Sequence, residues 1–271
     1  MVSKSKFQYL KNLSQKKHRE KEGVFLVEGW RSVEEVCAAL DEIEILVYTK
    51  EAKENLRFAS VLSSAGKKSK ELHEVSPKEF AFIADTVAAQ GVAAVVKKLS
   101  INVDTELGKL LIKDEVFVVA LDQIADPGNL GAIIRTSDWF GVDAILLSNN
   151  CVELYNPKVV RSTVGSIFHL PILDCSDGPE SFADVLKAMQ KSGFRLFGAE
   201  VSGNTDVRTN VWPNKSVLVI GNEARGISPE IAAMLDKHIA IPKFGKSESL
   251  NAGVAAAVFL SHHAFQQKSE V

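Results

Sequence analysis

Three polar, glycine-bearing segments in the second half of the chain carry the residue types from which a ligand site is built. They are Asp126-Pro-Gly-Asn-Leu-Gly131, Gly221-Asn-Glu-Ala-Arg-Gly-Ile-Ser228 and Ile241-Pro-Lys-Phe-Gly-Lys-Ser-Glu-Ser-Leu-Asn251. Glycine lets backbone N–H groups come close to a bound molecule, and each segment adds polar side chains with no evident packing duty. In the first, a helix start followed by Arg135 suits a phosphate; the alternative is a Pro-Gly turn with Asn129 as helix cap and Arg135 in a surface ion pair. In the second, Glu223 is either a ligand group or a surface carboxylate. In the third, Ser249 and Asn251 either serve a ligand or cap the helix that follows.

Two common chemistries fail on spacing. Gly221 and Gly226 have the interval of a phosphate-binding loop, but Ile227-Ser228 stands where Lys-Ser/Thr is needed to reach phosphates and magnesium. No Gly-x-Gly-x-x-Gly follows the first strand of this region, which disfavours a nicotinamide-dependent oxidoreductase. Cys37, Cys151 and Cys175 form no Cys-x-x-Cys pair and lie beside no histidine cluster, so neither a disulfide framework nor a metal site is expected.

The elements that must position these segments read as strand and helix in alternation. Continuous apolar runs at 116–121, 144–147, 170–173, 194–198, 217–220 and 238–241 predict strands of a parallel sheet covered on both faces. Helices are predicted at 131–140, 157–166, 181–192, 229–235 and 250–265. The last is apolar almost all round and must be buried, in its own domain or against a second subunit. Ligands of such sheets bind beyond the carboxyl ends of the strands, which is where all three segments fall. Ahead of this region lies a smaller αβ pattern: strands at 24–27, 43–48 and 91–96, a helix on which Trp30, Val33, Val36 and Leu40 share one face, another at 51–64, and a helix start at Ser76-Pro77. A linker near 99–108 separates a domain of residues 1–105 from one of 106–271.

Of the 271 residues, 46% are hydrophobic and 24% charged, which excludes a disordered or fibrous chain. No apolar stretch approaches the roughly 18 residues of a membrane span. The basic N-terminus leads into no apolar signal region, so no membrane association and a cytoplasmic location are expected. The net charge of −2 argues against wholesale coating of nucleic acid, yet the first 21 residues set seven basic side chains, among them Lys16, Lys17 and Arg19, against Glu20 alone. That cluster is either a phosphate-facing patch or a solvated helix face.

Taken together and in order, the three segments resemble the signature motifs of the SpoU/TrmH branch of the SPOUT RNA methyltransferases. The first is matched by Leu121-Asp-Gln-Ile-Ala-Asp-Pro-Gly-Asn-Leu-Gly-Ala-Ile-Ile-Arg-Thr136 with Phe140-Gly141-Val142, the second by 220–228, and the third by Ser247-Glu-Ser-Leu-Asn251 after Ile241-Pro242. Three motifs in register are far more specific than one. The segment 161–171 resembles the family's connecting stretch, and Lys16-Lys-His-Arg-Glu-Lys-Glu-Gly-Val-Phe-Leu-Val-Glu-Gly29 resembles the L30e-like substrate-binding domain that precedes the catalytic domain in many members.

The resemblance implies an α/β SPOUT domain with a parallel sheet and a trefoil knot behind a small L30e-like αβ domain. It further implies S-adenosylmethionine as methyl donor, methylation of a ribose 2′-hydroxyl in RNA, and a homodimer through the catalytic domain. Arg135, Asn129, Glu223, Ser249 and Asn251 match the family's catalytic positions; Ala199, Glu200, Ile220, Gly221, Ile241 and Leu250 match its donor-binding backbone. Under this reading Lys16, Lys17, Arg19 and Arg135 face RNA. An added N-terminal domain leans toward ribosomal RNA as substrate. Transfer RNA and a noncatalytic RNA-binding or ribosome-assembly role are the alternatives.

Overall fold

The computed structural model describes residues 2–86, 89–176 and 181–268. It divides into two compact units: residues up to Ser100 together with Glu153–His169, and Ile101–Val152 together with the chain from Leu170 onward.

In the first unit, strands β1 (Val24–Glu28), β2 (Ile43–Thr49), β3 (Ser69–Val75) and β4 (Val92–Lys97) form a sheet in the order β1-β4-β2-β3. β4 runs antiparallel to β1 and β2, and β3 runs parallel to β2 at the edge. The apolar runs predicted three of these strands. β3, reading Ser-Lys-Glu-Leu-His-Glu-Val, has no apolar run because one of its sides is open to water and carries charge, a common protection for an edge. At the expected helix start, Ser76 Oγ accepts from Glu79 N at 3.3 Å while Glu79 Oε2 accepts from Ser76 N at 2.8 Å, a reciprocal capping box with Pro77 in the first turn.

The division at residue 105 is corrected by the segment 153–169, which the apolar pattern assigns to the second domain but which packs with the first. Its helix Pro157–Thr163 lies against β1. Phe25 of β1 has its ring 4.6 Å from that of Tyr155 and 6.2 Å from that of Phe168. Glu153 pairs with Arg19 through both Nε (3.2 Å) and Nη2, and Arg19 Nη1 donates to Leu13 O at 2.8 Å. Arg19 is therefore 2% exposed and neutralised inside the unit. Its charge, read from sequence as part of an RNA-facing patch, is instead paired with Glu153: three of the five N–H donors are engaged inside the unit and burial closes the rest to a phosphate.

In the second unit, β5 (Val116–Asp122), β6 (Ala144–Leu147), β7 (Ile172–Asp174), β8 (Arg195–Ala199), β9 (Thr205–Asp206), β10 (Lys215–Gly221) and β11 (Lys237–Ala240) make a seven-stranded sheet. The order is β7-β6-β5-β10-β8-β11-β9, and every pairing is parallel. β9 is too short to show as a run in the sequence. One face is closed by Val185, Leu186 and Met189 of the helix Phe182–Lys191 against Val118, Ala120, Leu146, Val217 and Val219. The helix Pro127–Trp139 packs with the last helix, Ala252–Lys268, which starts two residues later than its apolar pattern predicts because Asn251 caps it. No described helix is long and apolar enough to cross a membrane.

The last helix is also fastened at its far end. His263 stacks on Phe117 of β5 at a centroid distance of 3.6 Å, and Trp212 meets the same Phe117 ring edge-on at 5.2 Å. Burial pushes the His263 imidazole down from 6.5 to about 4, with His262 adding to the shift and Asp143 opposing it. The unfolded chain takes up this proton near 6.5, whereas the folded chain does so only near 4. The stabilisation is whole above pH 6.5 and is lost progressively as the pH falls toward 4. His263→Phe, which keeps the stack, should flatten the fall of Tm across that window; an unchanged slope would refute the assignment.

Candidate active site

The carboxyl ends of the central strands bring the sequence motifs to one end of the sheet. Gly221 of β10 pairs with Asp122 of β5, Ile220 with Ala199 of β8, and Ala199 in turn with Ile239 of β11. Ala199, Ile220, Gly221 and the stretch beginning at Ile241 are thus the exits of adjacent strands. Two loops there are locked together. A Cβ on Gly221 would lie 2.3 Å from the backbone of Gly226 and Ile227, so only glycine lets the loop fold back this tightly. Asn222 ties it across, its Oδ1 accepting from Ala224 N at 2.9 Å and Arg225 N at 3.1 Å, its Nδ2 donating to Gln123 O at 2.8 Å.

Gln123 is held in the left-handed region at φ 62, a conformation that costs a non-glycine residue on the order of 1 kcal/mol or more. It is gripped from both sides, its N–H donating to Ser148 Oγ at 2.8 Å and its carbonyl accepting from Asn222. Buried Asp122 accepts from Ser228 N at 2.7 Å, joining β5 to the end of the Gly221 loop. Asp122, Gln123, Ser148 and Asn222 were not singled out from sequence. A polar Asp-Gln pair closing an apolar strand is the signal that marks the first two, and Asn222 sits inside a motif read only for its glycines and Glu223.

All three motifs meet at Asn129, whose side chain is buried. Its Nδ2 donates to Glu223 Oε1 at 2.7 Å, and its Oδ1 accepts from Asn251 Nδ2 at 2.7 Å, partners 94 and 122 residues away. Asn129 is not the helix cap. That role belongs to Asp126, whose Oδ1 accepts from Asn129 N at 2.8 Å. Asn251 does both things open to it, since its Oδ1 also accepts from Gly253 N at 2.9 Å and Val254 N at 3.3 Å.

The other expected residues lie apart from this bridge. Arg135, two turns further along the helix Pro127–Trp139, is exposed and has no hydrogen bond or ion pair among the described residues, so neither a bond to the loop 126–131 nor a surface ion pair is formed. Ser249 is exposed; its carbonyl accepts from Ser247 Oγ at 3.0 Å and its hydroxyl does not join the bridge. Leu250 is 49% exposed. Glu200 commits its N–H to Ile239 O at 2.9 Å and its Oε2 to His238 Nδ1 at 2.8 Å. Lys16 and Lys17 are exposed, Lys16 in a loose pair with Glu20 at 3.4 Å. No group of three or more His, Cys, Asp and Glu able to hold a metal occurs among the described residues.

The SpoU rRNA Methylase family matches residues 116–261, the whole span from β5 to the last helix. The chain belongs to the SpoU rRNA methylase family. The MRM3-like substrate binding domain matches residues 4–94. Over 253 residues, 93% of either chain, this SpoU methylase is 32% identical to the 23S rRNA (guanosine(2553)-2'-O)-methyltransferase RlmP of Bacillus subtilis. Its fold is similar to that of the SpoU methyltransferase AviRb from Streptomyces viridochromogenes, solved in complex with the cofactor AdoMet: TM-score 0.85, 27% identity, covering 98% of this chain and 99% of that one. It is also similar to the AdoMet-bound rRNA methyltransferase from Sinorhizobium meliloti, with TM-score 0.83 and 27% identity over 98% and 97% of the two chains.

The bridge sets Asn129 apart from Arg135 within the SpoU motifs: the first is hydrogen-bonded on both sides, the second is exposed and unpaired among the described residues. Asn129→Ala removes two part-buried hydrogen bonds, to the exposed residues Glu223 and Asn251, each worth about 0.5–1.5 kcal/mol, and should lower the unfolding free energy by about 1–3 kcal/mol in urea titrations. Arg135→Ala, at an exposed position, should change it by less than about 0.5 kcal/mol. Equal losses in the two variants would contradict this division.

Proposed function

We propose that this protein methylates the 2′-hydroxyl of a ribose in RNA, ribosomal RNA before transfer RNA, with S-adenosylmethionine as donor, and that it works in the cytoplasm as a homodimer. The observation that carries the reading is the convergence of three distant motifs on Asn129 at the carboxyl ends of a parallel sheet, where such folds hold their ligands.

The residues at those strand ends fit the donor. Ala199 and Ile241 are partly exposed apolar groups and Leu250 is half exposed, which suits a flat adenine, while glycine-bearing loops offer backbone rather than charged side-chain contacts. When bound, the donor's sulfonium supplies an electrophilic methyl group that needs no further activation. The chain's own task is to align the ribose hydroxyl, exclude water and stabilise charge on the attacking oxygen. Arg135 suits the last role. A guanidinium is almost never deprotonated in a protein, so it holds a neighbouring RNA phosphate and stabilises the developing oxyanion instead of removing the proton. Asn129, Glu223 and Asn251 act as positioning residues that keep the motif loops in register, and Ser249 is left free to reach a ligand.

Exposed apolar side chains support the dimer. Trp139 is 83% exposed, Val254 52% and Phe265 65%, on the two helices that pack together in the second unit. Trp139 follows Arg135 by one helical turn, so the face offered to a second copy borders the proposed reaction centre. The placement of β10 between β5 and β8, with the last helix returning to the helix that follows β5, supports the knotted path implied by the family resemblance. For RNA, the first unit offers exposed Lys16 and Lys17, without Arg19.

Arg135→Ala should abolish methyl transfer to ribosomal RNA, measured with labelled donor, while calorimetric affinity for S-adenosylmethionine stays within about twofold; normal turnover would overturn the assignment. Replacing Lys16 and Lys17 by alanine should reduce the slope of log affinity against log salt by about 1 per lysine. A slope equal to the parent's would remove these lysines from the RNA contact.

A further inference from the structure

The third motif holds Phe244 at 88% exposure, with no aromatic ring or cation against it among the described residues. It lies on the segment Ile241-Pro-Lys-Phe-Gly-Lys-Ser-Glu-Ser-Leu250 between β11 and the last helix, where residues 243–250 are all exposed. The segment is pinned at both ends. Before it, Ala240 pairs with Asp206 of β9, and Glu200 N donates to Ile239 O at 2.9 Å. After it, Asn251 Nδ2 donates to Asn129 Oδ1 at 2.7 Å, and a Cβ on Gly253 would lie 3.3 Å from Ala132 Cβ. The segment therefore ends against the helix that carries Arg135. Between the pins the only hydrogen bond among the described residues runs from Ser247 Oγ to Ser249 O at 3.0 Å.

A single exposed phenylalanine is ordinary on a protein surface and says nothing alone. The surroundings of this one do. Lys243 precedes it and Lys246 follows Gly245; neither lysine has a carboxylate partner among the described residues, and a Cβ on Gly245 would meet nothing within 4 Å. Glu248 is the one acidic residue of the segment. The other two motifs add Arg135 and Arg225, likewise exposed and unpaired among the described residues, whereas the Glu223 carboxylate is already bound by Asn129. A second protein's apolar face would be poorly served here, since lysine is depleted at the cores of such interfaces. An aromatic ring set among unpaired cations matches a polymer of flat bases on a chain of phosphates.

We infer that Phe244 is a substrate-positioning residue, the stacking platform for an unpaired base beside the ribose being methylated, with Lys243 and Lys246 on the flanking phosphates. The inference rests on the proposed function and deepens it. Methyl transfer requires the 2′-hydroxyl to be held in line with the donor's methyl group, so the sugar must be fixed before it reacts. Stacking fixes the plane of a base, and two phosphate contacts fix the backbone on either side of it. The sugar is thereby placed without any reading of the base edge. Selectivity follows for an unpaired stretch, because bases inside an A-form helix have no free face. The sparse hydrogen bonding between the pins lets the ring follow the RNA while Asn251 keeps the motif in place.

The test uses the full-length protein and two fluorescein-labelled ligands of equal length and charge, single-stranded oligoadenylate and an abasic phosphodiester chain. Phe244→Leu keeps an apolar side chain and loses the aromatic face; it should weaken oligoadenylate on the order of tenfold and leave the abasic chain unchanged. Phe244→Trp should bind oligoadenylate at least as tightly as the parent. Lys243→Gln and Lys246→Gln should each lower the slope of log affinity against log salt by about 0.7 for both ligands. With ribosomal RNA as substrate, kcat/KM in Phe244→Leu should fall by the same factor as the oligoadenylate affinity. Equal losses on the two ligands, no loss on either, or a leucine variant as good as the tryptophan one would each overturn the inference. So would a weakened affinity for S-adenosylmethionine in Phe244→Leu, which assigns the ring to the donor, or a lowered sedimentation coefficient, which assigns it to a subunit contact. Absence of methyl transfer in the parent protein counts against the proposed function, while the comparison of the two ligands decides the role of Phe244 by itself.

Discussion

The carboxamide of Asn129 is the constraint on which the rest of the catalytic unit depends. A carboxamide offers a donor and an acceptor on one rigid plane, and both are used across long sequence separations, to Glu223 on one side and Asn251 on the other. Aspartate in its place would present two acceptors and repel Glu223, and leucine would offer neither a donor to Glu223 nor an acceptor to Asn251. Because Asn251 also caps the last helix, the same side chain that joins the bridge through its Nδ2 sets where that helix begins through its Oδ1. The helix then runs back across the sheet to the Phe117 and Trp212 rings. Chemistry at one end and packing at the other are thereby fixed by a single short chain of polar contacts.

Around this bridge the loops are held without relying on large side chains. Gly221 allows the backbone of Gly226 and Ile227 to close over it, and Asn222 fastens the closed loop to Gln123. Gln123 keeps its unfavourable dihedral because hydrogen bonds from two directions outweigh the local cost. At the same strand ends Ala199, Ile241 and Leu250 are accessible, apolar and uncharged. Arg135, on the helix that follows the first motif loop, is exposed and has no carboxylate partner among the described residues.

Much of this is legible in the amino-acid sequence. Continuous apolar runs marked β5, β6 and β10 within two residues, because strands buried on both faces need no polar positions. The motif positions Asn129, Glu223 and Asn251 could be named, but their mutual bonds could not, since nothing in spacing records which loops touch. Periodicity also could not show that Arg19 faces inward. Seven basic residues in a short polar stretch read as a solvated face, and the reversal depends on Glu153, far along the chain. β3 escaped notice for the opposite reason, as a half-exposed edge strand whose charges hide its regularity.

The return of Glu153–His169 to the first unit also bears on how the chain is made. During synthesis the first hundred residues emerge with Phe25 lacking its aromatic neighbours and Arg19 lacking its counter-charge. They must wait for β5, β6 and the helix between them to follow before the missing segment arrives. The first unit is thus completed only after the second has begun, which couples the maturation of two bodies that a linear reading would treat as successive and independent.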